Sequence, residues 1–594
     1  MYKSRVLAFA AFVCLAGVAN GLAQSDHGNI PNGWKTKAEE TDYRKTSTYA
    51  EAIAYSKRLA AQSRGLISYS TYGTSGEGRE MPLLVAAKGS AFSRSAATRQ
   101  SKIVVLIQAG IHAGEIDGKD AGFALLRDIA ITRTRLGLLD NAVIVFQPIY
   151  NVDGHENRSE YTRINQNGPD ETGYRANATS LNLNRDYMKA DAPETRAFLK
   201  LWNDWHPDIF IDCHVTNGAD YRYNVTYEYA HHDEIDAGIR AWMSEHFEKV
   251  VVPNTERDGN LLMRYVEFAG REVSSGVATF IPTPRFATGY AAIRNRPGLL
   301  IETHVYKPYK SRVRGTYDLL RHTVEEAGRA KASLLSAIRK ADDDTIRKGR
   351  RGTTANPFPL LLAITEKVEQ VEFKGVEYKI EESDISGSKR IVYGTKPIDI
   401  KIPRYDTARI DRSVTPPTAY IIPPQYKDVI SVLRAHGLKL LTRTASQEVD
   451  IESYRLSEPK WATTPFEGRI TVTAKQTLVR EKRNFPAGSV VVPLDQPAAE
   501  VAIHLLEPNG PDSLLFWGFF NSIFEQKEYG EAYQIEKLAE KMLAGDPVLK
   551  KEFETRLKDE SFSKNPRARL NFFYERSKFY EVQRVGVYPV GRIL

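Results

Sequence analysis

Apolar residues recur along this chain in two alternating rhythms. Tyr49 to Ser63 has the spacing of a helix, and Leu66 to Tyr72 and Met81 to Ala87 then read as strands joined by the Gly-rich turn GTSGEGRE. Ile103 to Ala109 is nearly continuous in apolar residues, as a strand covered on both faces would be, and Lys119 to Ile131 reads as the helix after it. Val143 to Ile149 is the next buried strand. A helix over Ala192 to Trp205 precedes the strand Ile209 to Asp212, and Gly298 to Ile301 is another apolar strand. The alternation predicts an α/β domain, a mixed central β-sheet flanked by helices, closed by a long amphipathic helix from Thr316 to Ala341.

From Asp342 to Pro359 the pattern gives way to charged, Gly- and Pro-containing sequence, which reads as a linker. Beyond it, Val368 to Ile380, Lys389 to Val392, Ile398 to Ile402, Ala419 to Ile422, Arg469 to Thr473 and Ser489 to Val492 are short strand patterns. Helical segments follow at Ala498 to Leu506, Glu531 to Leu543 and Leu549 to Leu557. The expected organisation is a signal peptide at 1–23, a catalytic domain at 24–341, a linker at 342–359 and a smaller α+β accessory region at 360–594, read as scaffold or specificity cap.

Composition changes this picture at the N-terminus. Lys3 and Arg5 precede the apolar run Val6 to Ala19, and Gly21-Leu22-Ala23 offers small residues for cleavage, the pattern of a signal that delivers the mature chain to a periplasmic or extracellular space. The chain of 594 residues is 42% hydrophobic and 26% charged, long enough for more than one core. Of two cysteines, Cys14 leaves with the signal, so Cys213 has no partner for an internal disulfide. The net charge of +8 is spread along the chain, and the basic cluster Arg347-Lys348-Gly349-Arg350-Arg351 reads as a solvated linker, which argues against nucleic acid as a partner. No stable membrane span is expected after signal cleavage.

Candidate chemistry concentrates where the Ile103 strand ends. The stretch VVLIQAGIHAGEIDG places His112 and Glu115 three residues apart in a Gly-rich corner. The same His-x-x-Glu spacing occurs at His231/Glu234, His322/Glu325 and His504/Glu507, but those three fall in apparent helices, where such neighbours need no function. A third ligand is expected at the end of another strand of the same sheet, and His214, closing PDIFIDCH, meets that requirement. Two imidazoles and a carboxylate leave a fourth position open, the catalytic pattern for zinc. Cys213 faces the opposite way on the strand and is expected to be buried. Glu302, ending GLLIETH, is the candidate base, with His304 two residues on as a rival or supporting residue.

Taken together these residues resemble the zinc metallocarboxypeptidase family, the carboxypeptidase A-like peptidases. The resemblance rests on GIHAGEIDG, PIYNVDGHE, RANATSLNLNRDY, FIDCH and LLIETH, in the family's order, over roughly Tyr43 to Ala341. It implies one zinc ion on His112, Glu115 and His214, with Glu302 assisting attack by zinc-bound water. It further implies that Arg175 polarises the scissile carbonyl, that Asn184 and Arg185 hold the substrate's terminal carboxylate, and that Tyr290 caps the substrate. One departure stands out: Asn182 occupies the place of the family's usual Asp, where an amide oxygen can still accept an imidazole N–H. The expectation is an exported enzyme cleaving the C-terminal bond of peptides or proteins with a free C-terminus. The alternatives are a cell-wall peptide amidase or endopeptidase on the same scaffold, or a binding protein without catalysis.

Overall fold

A computed structural model describes residues 30–216, 218–352, 357–580 and 585–594. The expected signal at 1–23 lies outside the described residues.

An eight-stranded mixed sheet forms the first part of the chain. Its strands are β1 (Ile67–Thr74), β2 (Glu80–Ala86), β3 (Ile103–Ala109), β4 (Ala142–Gln147), β5 (Ile209–Val215), β6 (Val225–Tyr229), β7 (Leu262–Arg264) and β8 (Gly298–Thr303), in the order β1-β2-β4-β3-β5-β8-β6-β7. Strands β4, β3, β5 and β8 run parallel, while β1, β2 and β6 pair antiparallel within this order. Burial on both faces follows from the period of two along β3. Val105, Ile107 and Ala109 enter one core with the helices Asp117–Ala130 and Tyr309–Arg329, while Val104 and Leu106 enter a second with the helix Pro193–Trp205.

That second core does not stop at the catalytic part. Tyr420, Ile422, Val490, Val492 and Leu505 from the accessory region belong to the same cluster as Phe198, Trp202 and Phe210. The accessory region contains a six-stranded sheet in which Gly591–Ile593 lies between Ala419–Ile422 and Gln447–Trp461, the latter paired with Val472–Phe485. A second long hairpin, Val368–Ser383 with Ser388–Tyr405, and a helical cluster with its own small core complete it.

Two expectations about elements are corrected. The helix expected over Thr316 to Ala341 is two helices, Tyr309–Arg329 and Lys331–Arg351, with Ala330 between them at φ −96°, ψ 20°. The apolar spacing continues across the junction, so the pattern carries no sign of it. The charged stretch read as linker is helical as far as Arg351: Asp342 receives two hydrogen bonds from Arg296 at 3.0 and 3.1 Å, and Ala341, Thr345 and Gly349 are buried. Its charges are one solvated side of a packed helix.

Candidate metal centre and active site

The site is assembled where β3, β5 and β8 end side by side. Chain direction changes sharply after β3 at Gly110, whose φ of +68° lies in the left-handed region that favours glycine. The turn then presents His112 and Glu115 before the helix beginning at Asp117. Because β5 and β8 are parallel and in register, Glu302 lies beside His214 and Leu300 beside Asp212.

Three donor atoms converge. His214 Nδ1 is 3.2 Å from His112 Nδ1 and 2.9 Å from Glu115 Oε2, and His112 Nδ1 is 3.2 Å from Glu115 Oε1. Each imidazole is held at its other nitrogen: His112 Nε2–H donates to Asn182 Oδ1 at 3.1 Å, and His214 Nε2–H to Asp212 Oδ2 at 2.7 Å. Fixed tautomers with both Nδ1 atoms turned to one point are what a metal requires. All three residues are buried, and the N₂O donor set with an open side matches a catalytic zinc site.

The electrostatics of the cluster are uneven: burial opposes a charged His214, but Asp212 and Glu115 outweigh it and raise its imidazole well above the usual range. Burial lowers the His112 imidazole to about 4, so it is neutral and ready to ligate. Burial would raise Glu115, but His112 and Arg163 outweigh it and hold the carboxyl well below the usual range. Burial, reinforced by Glu115 and Asp212 against the pull of His214, pushes the Glu302 carboxyl up to about 8. Its Oε2 is buried with no hydrogen-bond partner among the described residues.

The cleft beside these residues holds about 270 Å³ and is lined by His112, Glu115, Arg175, Asn184, Arg185, His214 and Glu302 together with aromatic Tyr265, Phe280 and Phe286. That space is near the lower end of small-ligand sites, suited to the end of a peptide. Arg175 reaches Glu115 Oε1 at 3.3 Å from a side chain 45% exposed. Arg185 donates to the Asn184 carbonyl at 2.7 Å and lies 4.1 Å over the Phe286 ring; among the described residues it makes no ion pair. Asn184 Oδ1 accepts the Ala287 N–H at 3.0 Å, joining this loop to the helix Ala287–Ala292.

Tyr290 is not at the cleft. It is fully buried in the second core, its hydroxyl 2.6 Å from Arg294 Nη1 and 3.1 Å from His436 Nδ1, because the helix turns Ala287 and Thr288 to the cleft and the following residues inward. His304 is also withdrawn, buried with Nε2 accepting the Tyr221 N–H at 3.2 Å. Cys213 is buried against Gly118. The other His-x-x-Glu pairs serve structure. His231 donates to Asp406 at 2.6 Å, in a turn and not the helix its spacing suggested. His322 meets Asp258 at 2.7 Å, and Glu507 accepts from Tyr420, Tyr454 and Arg592. Asp212 was within reach of sequence reasoning, lying two residues before His214 on the same strand face. Arg163, 3.0 Å from Glu115 Oε1, was not, since its loop has no pattern.

A buried N₂O cluster beside an open cleft, at the carboxyl ends of strands in a mixed α/β sheet, has the donor set of a catalytic zinc site. Residues 52–258 match the zinc carboxypeptidase family, a span that includes every residue of the triad but not Glu302. The chain is 25% identical over 536 residues to a carboxypeptidase 2 of Trichophyton equinum, covering 87% of this chain and 91% of that one, and 26% identical over 477 residues to a carboxypeptidase 2 of Trichophyton rubrum, covering 78% and 82%. A metallo-carboxypeptidase structure from Burkholderia cenocepacia overlaps 47% of this chain and 69% of its own at 17% identity, with a TM-score of 0.35. Over residues 52–258 the chain is similar to the zinc carboxypeptidases, and metallocarboxypeptidase activity is what that match and the relatives support.

Proposed function

We propose that the protein is an exported exopeptidase that removes the last residue of peptides with a free C-terminus, using a single zinc ion. One observation carries this reading: the His-Glu-His cluster, a carboxylate whose buried Oε2 has no partner among the described residues, and a guanidinium with no carboxylate partner among them all line one small cleft. His112, Glu115 and His214 would hold the zinc ion, which when bound would supply Lewis-acid and water-activating chemistry. Glu302 takes a proton from the attacking water and returns it to the departing amine. Arg175, at the mouth of the cleft, stabilises the developing oxyanion. Arg185 presents its planar fork to the terminal carboxylate, with Asn184 beside it. Export rests on the basic-then-apolar N-terminal pattern. Among the described residues no helix is long and apolar enough to cross a membrane.

The test is a mixture of peptides with free or amidated C-termini, followed by mass spectrometry with and without chelator. Single-residue release from free ends alone, abolished by chelator, is expected. Internal cuts, or equal cleavage of amidated peptides, refute the exopeptidase reading and favour an endopeptidase or amidase on this scaffold.

A further inference from the structure

The accessory region reaches the metal centre through one turn. Strands Gln447–Trp461 and Val472–Phe485 are joined by a segment that folds into a smaller hairpin, in which Phe466 and Arg469 exchange backbone hydrogen bonds at 2.8 and 3.1 Å. Both residues at its tip are left-handed, Glu467 at φ 49° and Gly468 at φ 78°. A turn of this kind favours Asn, Asp or Gly at its first central position. Glutamate there is held against its preference, and such strain points to a task at that position.

The task is visible in its contacts. Glu467 Oε2 accepts the Asn182 backbone N–H at 2.8 Å. Asn182 Oδ1 in turn accepts from His112 Nε2 at 3.1 Å and from the Asn184 N–H at 3.0 Å. One carboxylate therefore fixes the residue that orients a metal ligand and the loop that carries Asn184 and Arg185. The turn is clamped in place: Arg469 makes a bidentate pair with Asp191 at 2.6 and 2.7 Å, and Phe466 stacks on Trp517 at 5.8 Å. A second clamp from the same region, Asp512, receives the Arg285 N–H at 3.1 Å and its guanidinium at 2.5 Å, on the loop bearing Phe286.

We propose that Glu467 is a positioning residue of the active site: through its hydrogen bond to Asn182 it sets the orientation of His112 and the placement of the Asn184–Arg185 loop. The accessory region is in this sense part of the site. The inference rests on the triad being a zinc centre and, for its kinetic arm alone, on the peptidase reading.

Three variants of the full chain test it: Glu467→Ala removes the acceptor, Glu467→Gln keeps an acceptor oxygen, and Glu467→Asn suits the left-handed turn but is one methylene short. Zinc affinity is measured by chelator competition, melting temperature alongside it, and kcat and KM on a free-C-terminus peptide. Direct partners of metal-ligating histidines are worth about 10–100-fold in affinity, so one bond further out a loss of about three- to tenfold is expected for Glu467→Ala and Glu467→Asn, with KM raised more than kcat falls. Glu467→Gln is expected to stay within about twofold of the parent, and Glu467→Asn to melt no lower than the parent. Zinc affinity unchanged in Glu467→Ala, or lost equally in Glu467→Gln, overturns the proposal, as does affinity that simply follows melting temperature across the three. A parent that binds zinc but cleaves no peptide refutes the peptidase reading instead, and the zinc measurements still decide this one.

Discussion

Glu302 has its Oε2 buried without a hydrogen-bond partner among the described residues, which costs about 1–3 kcal/mol, and it faces the cleft that the His-Glu-His cluster lines. Replacing it by glutamine leaves the triad intact. Glu302→Gln is therefore expected to retain stoichiometric zinc by metal analysis while kcat falls about 10²–10⁴-fold, the range for a lost general acid–base. His214→Ala is expected to lose zinc and turnover together. Arg185→Lys keeps the charge but not the planar fork, so KM for free-C-terminus peptides should rise about tenfold or more, by analogy with a lost charge-assisted hydrogen bond of roughly 1.5–3 kcal/mol. At this scale the sequence was most legible where chemistry and strand ends coincide: His112, Glu115, His214, Arg175, Asn184, Arg185 and Glu302 all line one cleft. It misled at Tyr290, where an aromatic residue was matched to a role although nothing in PRFATGYAAIRNRP separates a cleft-lining tyrosine from a core one.

Among the elements, β5 and the helix Asp117–Ala130 are locked by a close approach. A Cβ added at Gly118 would overlap the Cβ of Cys213, one residue before the ligand His214. Gly118→Ala is expected to destabilise the protein by about 1–3 kcal/mol through overpacking and to weaken zinc binding with it. Melting curves with and without chelator separate the two effects. A different tie holds the hairpin that ends at Tyr405 to the end of β6. Asp406 accepts from His231, Thr279 and Arg404, all at 2.5 or 2.6 Å. Burial opposes the charged form of His231, but Asp406 and Glu228 outweigh it and raise the imidazole to about 9, against the opposing charge of Arg264. The stability this contributes is fully present below the unfolded pKa of about 6.5 and disappears as pH rises through 9. Asp406, held well below its usual range despite burial, sets the acid limit, its contribution being lost as pH falls through its folded value. His231→Gln should thus lower the melting temperature most near pH 5–6.5 and least above pH 9; an equal loss at both refutes the ion pair. Element prediction followed burial. The fully buried β3 was read to its exact limits, whereas the strand Gln447–Trp461, with mostly polar, half-exposed positions, gave no apolar rhythm to read.

For the molecule as a whole, the shared second core makes the two parts one cooperative body, since Tyr420, Ile422 and Val492 bury their surface on the same cluster as Phe198 and Trp202. Calorimetry should show the catalytic sheet and the accessory sheet melting in a single main transition; two well-separated transitions would mean that the common core does little. Composition alone could not announce this, because the linker-like charges of the helix Lys331–Arg351 hide its buried face. The strand Gly591–Ile593 has a further consequence, in time. It bridges the sheet to the hairpin that carries Glu467, and its pairing joins Arg592 to Glu452 across 140 residues and Ile593 to Thr418 across 175. The metal triad needs a closure of similar length, His112 meeting His214 across 102 residues, and closure cost grows only slowly with length. Refolding from denaturant in the presence of zinc should therefore give metal capture and peptide cleavage at one common rate; zinc capture well ahead of cleavage would mean that the catalytic sheet closes without the strand Gly591–Ile593.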